Sequence, residues 1–323
     1  MKSRILFQTG VSWSKAWGRL LVLLLIIAAI VGLPFVVGIS GARMVIEFAI
    51  LALFATAYNL ALGQTGLFSF GHGGLFGFAV YALVLPVIKA DIPMVFAFIG
   101  ATVMTGLISM GMGWLSLRLT GIYFGIITLA FGQLIWVTAW KWRSLTGGDD
   151  GIIGLQIPSL IASPTNMYFL VLAIVIAAMV MIWMITNSPL GFTFKMIREN
   201  PRRAESVGVN VKRYQLIAFT LSGLFTGVAG SLYAIFIRGA FVEFAFVGKG
   251  FEPVFANIVG GLYVFMGPTV GAGLLLALGT YISRVTEYWM FFSGAILVLS
   301  ALFLPSGMVG SSREWILRWV KKR

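Results

Sequence analysis

Apolar positions along this chain fall in long unbroken runs, not at every second or every third to fourth residue. Alternation would mark a half-wet strand, and a stripe of helical period would mark a helix with one wet face. A run that is apolar all round marks a helix with no wet face. About 20 such residues cross the hydrocarbon of a bilayer as an α-helix. The runs predict spans at 20–38, 44–62, 67–88, 92–117, 119–140, 167–186, 214–237 and 288–304. The apolar stretch 253–283 is interrupted by Met266-Gly267-Pro268 and predicts two short spans, which makes ten. Composition agrees, since 59% of residues are hydrophobic and only 10% charged. Soluble domains carry about a quarter charged residues, so a water-soluble fold would have too little polar surface to cover its core. The expected fold is all-α and polytopic, with about ten transmembrane helices and short glycine-broken spans.

Charge adds the orientation. If ten spans alternate from a cytoplasmic N-terminus, sixteen of the 23 basic residues and three of the ten acids lie inside. Seven of each lie outside. That basic excess places both termini in the cytoplasm through the positive-inside bias. The net charge of +13 is therefore a topology signal, aided by anionic membrane lipid, and calls for no nucleic-acid partner. Residues 1–19 are basic and carry Trp13 and Trp17 on one helical face, as an interfacial segment does. The run 20–38 exceeds a usual signal-peptide core and lacks a small-x-small cleavage site, so it is expected to stay as the first span. Residues 20–304 then form one transmembrane domain, and 305–323 a basic cytoplasmic tail.

Two connections are longer than the rest. Residues 141–166 lie outside and include the glycine-rich, acidic "TGGDDGIIGL"; residues 187–213 lie inside and are the most charged part of the chain. Spans two to five begin outside and spans seven to ten begin inside, which suggests an inverted repeat of five plus five. The glycine-interrupted spans, the third and the eighth, occupy matching places in the two halves. Paired interruptions of this kind point to a substrate pathway at the repeat interface.

Few side chains could carry chemistry. A zinc site takes three or four protein ligands, whereas this chain has no cysteine and a single histidine, His72. No metal site is expected. Glu47 is the clear acid within a span, and it lies at the opposite end of the membrane from His72. The pair is too far apart for a proton relay of the transporter kind. His72 is expected to hydrogen-bond a neighbouring carbonyl or hydroxyl. It sits in "FSFGHGGLFG" among Gly71, Gly73 and Gly74, which weaken the helix while allowing close packing. The expectation is tight packing with a local irregularity beside the pathway. No phosphate-binding loop occurs, because Gly248-Lys249 is followed by glycine, and no nucleophile–base set is found. The chain binds no cofactor of its own on this reading, and if solute moves uphill, another subunit must hydrolyse the ATP.

The inside loop reads "LGFTFKMIRENPRRAESVGVNVKRYQ". Asn200 can cap a helix that has Pro201 in its first position, and Gly208 can end it. A two-turn helix at 201–207 is predicted, bearing Arg202, Arg203 and Glu205, with Ala204 and Val207 as a small apolar contact. A plain solvated connector would not need such caps, so the helix reads as a plug for a groove on a soluble partner.

Six motifs together resemble a known family, the branched-chain amino acid ABC importer permeases of the LivM type. They are "GQTGLFSFGHGGLFGFAVYA" (63–82), "RLTGIYFGIITLAFGQ" (118–133), "TGGDDGIIGL" (146–155), "IRENPRRAESVGVNV" (197–211), "FTLSGLFTGVAGSLYA" (219–234) and "IVGGLYVFMGPTVGA" (258–272). The resemblance runs from about 42 to 304 in the expected order. It implies a heterodimer with a LivH-type permease, two cytosolic ATPase subunits, a periplasmic or tethered amino-acid-binding protein, and residence in the bacterial inner membrane. It also implies that Arg198, Glu199, Asn200, Pro201, Arg202, Arg203, Ala204, Glu205 and Gly208 dock into the ATPase. Gly71, His72, Gly73, Gly74, Tyr123, Phe124, Gly260 and Gly261 are the pathway candidates. One departure follows Gly260-Gly261: the family usually has a further glycine and a small hydroxyl residue, and here Leu262-Tyr263-Val264-Phe265 stand there. Similar permeases import urea or short-chain amides, an alternative solute class. A secondary transporter driven by an ion gradient is a more distant alternative.

Overall fold

A computed structural model describes residues 13–282, 284, 288–303 and 307–311. The predicted basic segment 1–19 lies outside the described residues as far as 12, and most of the tail 305–323 does too. The first helix, α1 (Trp13–Thr65), is interrupted at Gly38, where φ of 71° and ψ of −174° are open only to glycine. The break expected at 39–43 is thus a bend at one residue. There follow α2 (His72–Ala90), α3 (Met94–Ser116), α4 (Ile122–Lys141) and the single turn α5 (Arg143–Thr146). The second half holds α6 (Pro164–Thr186), α7 (Pro189–Glu199), α8 (Pro201–Ser206), α9 (Val211–Ile237), α10 (Val247–Gly260), α11 (Gly267–Ala277) and α12 (Trp289–Phe303).

Six described helices are long and apolar enough to cross a membrane: Gly38–Thr65, α2, α3, α4, α6 and α9. They form layers. The most apolar window of Gly38–Thr65 is 78% buried, against 28% for α4 and for α6. α9 packs on α1, α2 and α3 at the centre. Small residues permit the approach: Gly223 of α9 lies against Ser109 of α3, and Gly227 against Thr102 and Thr105. In lipid, where apolar surface gives no drive to associate, such close backbone packing is what holds helices together. The outer helices turn Val95, Phe96, Leu134 and Met184 outward. That wall would be an aggregation hazard in water and is an ordinary lipid-facing surface in a bilayer.

Three expectations about element boundaries need correction. The third span does not start at 67, because 66–71 is non-helical, with Gly66 at φ 76°, and α2 starts only at His72. The short eighth span does not start at Pro253. α10 begins six residues earlier at Val247 and runs through Pro253, which removes the helical partner of the Lys249 carbonyl. The loop 141–166 is not bare turn either: β1 (Ile152–Ile153) pairs antiparallel with β2 (Gly239–Ala240), tying the loop to the end of α9.

α10 and α11 are short, as the interruption predicts. At 14 residues α10 is about 21 Å long, less than the hydrocarbon thickness. The two helices meet backbone to backbone. A Cβ on Gly260 would collide with the Gly267 carbonyl, and one on Gly271 with the Ala256 carbonyl.

Candidate functional site

The basic loop is built from local signals. Ser188 caps α7, accepting from the Gly191 amide at 3.4 Å, and Pro189 takes the first turn. Asn200 caps α8, its Oδ1 accepting from the Arg203 amide at 3.0 Å, with Pro201 next. Gly208 takes φ 87° after the last turn, and Asn210 caps α9 through the Arg213 amide at 3.1 Å. The helix observed, Pro201–Ser206, is one residue shorter than predicted.

Ala204 does not face a partner. It is fully buried with Ile197 and Val211 in a small cluster that clamps α8 to the body of the protein. Val207 alone supplies the exposed apolar tip, flanked by exposed Arg202, Arg203 and Glu205. Arg198 points inward as well. One guanidinium nitrogen, Nη1, donates to the Gly63 carbonyl at 2.7 Å, and the plane lies 4.5 Å from the ring centre of Tyr263. A cation on the last carbonyls of a helix is favoured by the helix dipole. Arg198 therefore joins α7 to the end of α1 and to the turn after α10. Tyr263 belongs to the bulky segment 262–265, so that departure meets the loop directly.

His72 is wholly buried at the start of α2. Its Nε2 is 2.8 Å from Ser222 Oγ, and its Nδ1 is 3.1 Å from Ser69 Oγ. Ser222 Oγ donates to the Ala57 carbonyl at 2.7 Å, so it must accept from His72, which puts the ring hydrogen on Nε2. Ser69 Oγ then donates to Nδ1. Tyr58 and Phe219 meet the imidazole edge to face, with centroids 4.8 and 5.2 Å away. The chain of bonds joins α1, α2, α9 and the 66–71 segment.

A second polar node was not foreseen. Asn59 Nδ2 donates to Asn257 Oδ1 at 2.6 Å and to the Leu262 carbonyl at 2.9 Å. Asn257 Nδ2 donates to the Ala55 and Pro253 carbonyls, both at 2.8 Å. Both asparagines are buried.

The remaining predicted pathway residues do not share one cavity. Gly71 and Gly74 pack against α4 at Thr128 and Gly132, while Gly73 lies on Gly250 of α10. Phe124 is buried, 5.6 Å from Phe219, whereas its neighbour Tyr123 is exposed. Gly260 and Gly261 form the backbone contact and the turn of the α10–α11 pair.

A charged cavity lies elsewhere. It has a volume of about 280 Å³ and brings together Glu47 of α1, Phe76 of α2, Tyr233 of α9, and Lys249 and Glu252 of α10. Lys249 Nζ sits 2.7 Å from Glu252 Oε2, and 5.2 and 4.8 Å from the ring centres of Phe76 and Tyr233. Glu47 stands sixteen residues before Gly63, so the cavity is about 24 Å along α1 from the Arg198 contact. An ionised group within a membrane span costs about 2.5–3.5 kcal/mol, and such groups mark function by default. Counting 238–252 as an outside loop hid this site, because α10 carries Lys249 and Glu252 into the apolar body. Among the described residues no group of three or more His, Cys, Asp and Glu is placed to hold a metal ion.

The comparisons with known proteins bear on all of these features. A family model described as branched-chain amino acid transport system / permease component matches residues 40–301. The chain belongs to this family. The high-affinity branched-chain amino acid transport system permease protein LivM of Salmonella typhimurium is 27% identical over 91% of this chain and 75% of its own length. LivM of Escherichia coli is 26% identical over the same shares. LivH of Escherichia coli, also a permease protein of the high-affinity system, is 26% identical over 80% of this chain and 91% of its own length. No solved structure matches the chain. As a permease of this family the chain is a membrane transport component, and the matched range takes in α7–α8, both polar nodes and the charged cavity.

Proposed function

We propose that this permease is the membrane subunit of an ABC importer for branched-chain or related apolar amino acids. It sits in the bacterial inner membrane with both ends in the cytosol, in ten spans arranged as an inverted five-plus-five repeat. Its partners are a LivH-type permease, two cytosolic ATPases and a periplasmic or tethered amino-acid-binding protein. The ATPases bind and hydrolyse ATP, and this chain holds no cofactor. The branched-chain amino acid transport systems to which LivM and LivH belong support the solute class.

The observation that carries this reading is the Arg198 contact. α8 presents Arg202, Arg203, Glu205 and Val207 to the cytosol, and Ala204 clamps it to α7. Arg198 then connects α7 to the last turn of α1. A push or pull on α8 by a closing ATPase pair reaches α1 and the α10–α11 turn through rigid parts. Two helix arrangements biased in this way give outward and inward openings. Selectivity rests mainly on the binding protein, so the pathway needs only modest polarity.

Reconstitution tests the proposal. Vesicles holding both permeases, the ATPases and the binding protein take up leucine only with ATP inside the ATPase compartment. Uptake by this chain alone under a proton or sodium gradient overturns the ABC reading. Uptake of urea or short-chain amides with leucine inert overturns the solute class.

A further inference from the structure

Three charged side chains line the cavity between α1, α2, α9 and α10, and they do not balance. Lys249 is committed to Glu252 at 2.7 Å and to the faces of Phe76 and Tyr233. Among the described residues Glu47 makes no hydrogen bond or ion pair, although Lys249 is within electrostatic reach. Glu47 is half-buried, one of two carboxylates facing one ammonium. Glu47 is thus the carboxyl group at the cavity wall without a protein partner among the described residues, and an ammonium group is the kind of partner it lacks.

The surroundings favour an ammonium over a metal ion. Calcium or magnesium sites draw on several carboxylates, and among the described residues no three Asp, Glu, His or Cys side chains are grouped to hold a metal ion. An organic ammonium needs less, a carboxylate and aromatic faces. Ile50, Leu51, Phe54 and Leu275 complete the wall, giving an aliphatic and aromatic lining beside the charges. At about 280 Å³ the space is below that of drug-sized pockets and suits a small solute with a branched apolar body. Lys249 also stands in the first turn of α10, where the helix dipole disfavours a cation. An anionic group arriving from a solute meets both Lys249 and that helix end.

We propose that this cavity is a solute subsite, with the ammonium group of a small apolar amino acid seated on Glu47, its side chain against Phe54 and the aliphatic wall, and its carboxylate sharing Lys249 with Glu252. The inference rests on the amino-acid permease reading and adds the place and polarity of binding.

Binding to the full chain in nanodiscs separates the two. Leucine and 3-methylbutylamine raise the thermal midpoint, and 4-methylpentanoate, which lacks the ammonium, does not. Glu47→Gln weakens binding of 3-methylbutylamine by about tenfold or more, while Glu47→Asp retains most of it. Equal binding by wild type and Glu47→Gln overturns the site, as does a response to 4-methylpentanoate equal to that of leucine. If Glu47→Gln fails to fold, the comparison of amine with acid on the wild type decides. Uptake by the assembled importer is the separate readout. Leucine uptake that Glu47→Gln leaves unchanged sinks the site and spares the transport reading. An importer inert to leucine, whose permease still binds 3-methylbutylamine through Glu47, sinks the transport reading and spares the site.

Discussion

His72 holds a hydroxyl on each ring nitrogen, and the direction of every bond follows from Ser222 donating to the Ala57 carbonyl. Replacing it with alanine leaves the buried Ser69 hydroxyl without its acceptor and removes the donor to Ser222 Oγ, which still donates to the Ala57 carbonyl. Unsatisfied buried donors cost about 1–3 kcal/mol each in water-soluble proteins, and less where the membrane-embedded reference state finds partners. His72→Ala should therefore lower the thermal midpoint in detergent, and His72→Gln, which still donates toward Ser222, should recover part of the loss. Asn257→Leu should destabilise in the same assay by about 1–2 kcal/mol, because Asn59 and the Ala55 carbonyl lose their partner. The two nodes differed in how far the sequence revealed them. A lone histidine without companion ligands already pointed to hydroxyl or carbonyl partners. Asn59 and Asn257 are 198 residues apart, and nothing in either local window marks them as a pair.

At the level of elements, the legible parts are those set by neighbours in sequence. α8 was read to within one residue because Asn200, Pro201 and Gly208 act locally. The inward turn of Ala204 was not legible, since a helix of six residues is too short to show a periodic face. α10 was misread because proline usually opens a helix. Here Pro253 is carried inside one, and the burial of Lys249 and Glu252 went unseen with it. The α10–α11 pair depends on absent side chains, so Gly271→Leu should abolish properly folded protein, seen as loss of the monodisperse peak in size exclusion. Arg198 is the link between α7 and α1. Arg198→Ala should leave the permease assembled but lower solute moved per ATP by about fivefold or more, and Arg198→Lys, which keeps charge without the planar fork, should fall between.

For the molecule as a whole, hydropathy and charge announced an all-helical membrane protein, and the runs near 44–62, 92–117, 119–140, 167–186 and 214–237 correspond to described helices. Runs of this kind are read well because the bilayer demands internally bonded backbone at every level. What they could not convey is the division of labour between layers. One polar node joins α1, α2 and α9 and the other joins α1 to α10, α4 and α6 face outward, and short α10 also brings charge to a cavity. The resulting picture places the cavity at Glu47, within α1, and the Arg198 contact about 24 Å further along at the last turn of that helix.

The sharpest test of that picture is the ratio of leucine uptake to ATP hydrolysis in the reconstituted importer carrying Arg202→Glu together with Arg203→Glu. Both residues are exposed on α8 and support nothing in the fold, so the double variant should insert and fold as wild type does. The account predicts that the ATPases no longer co-purify with it and that uptake falls to background. A variant that retains its ATPases and transports leucine at the wild-type ratio would contradict it.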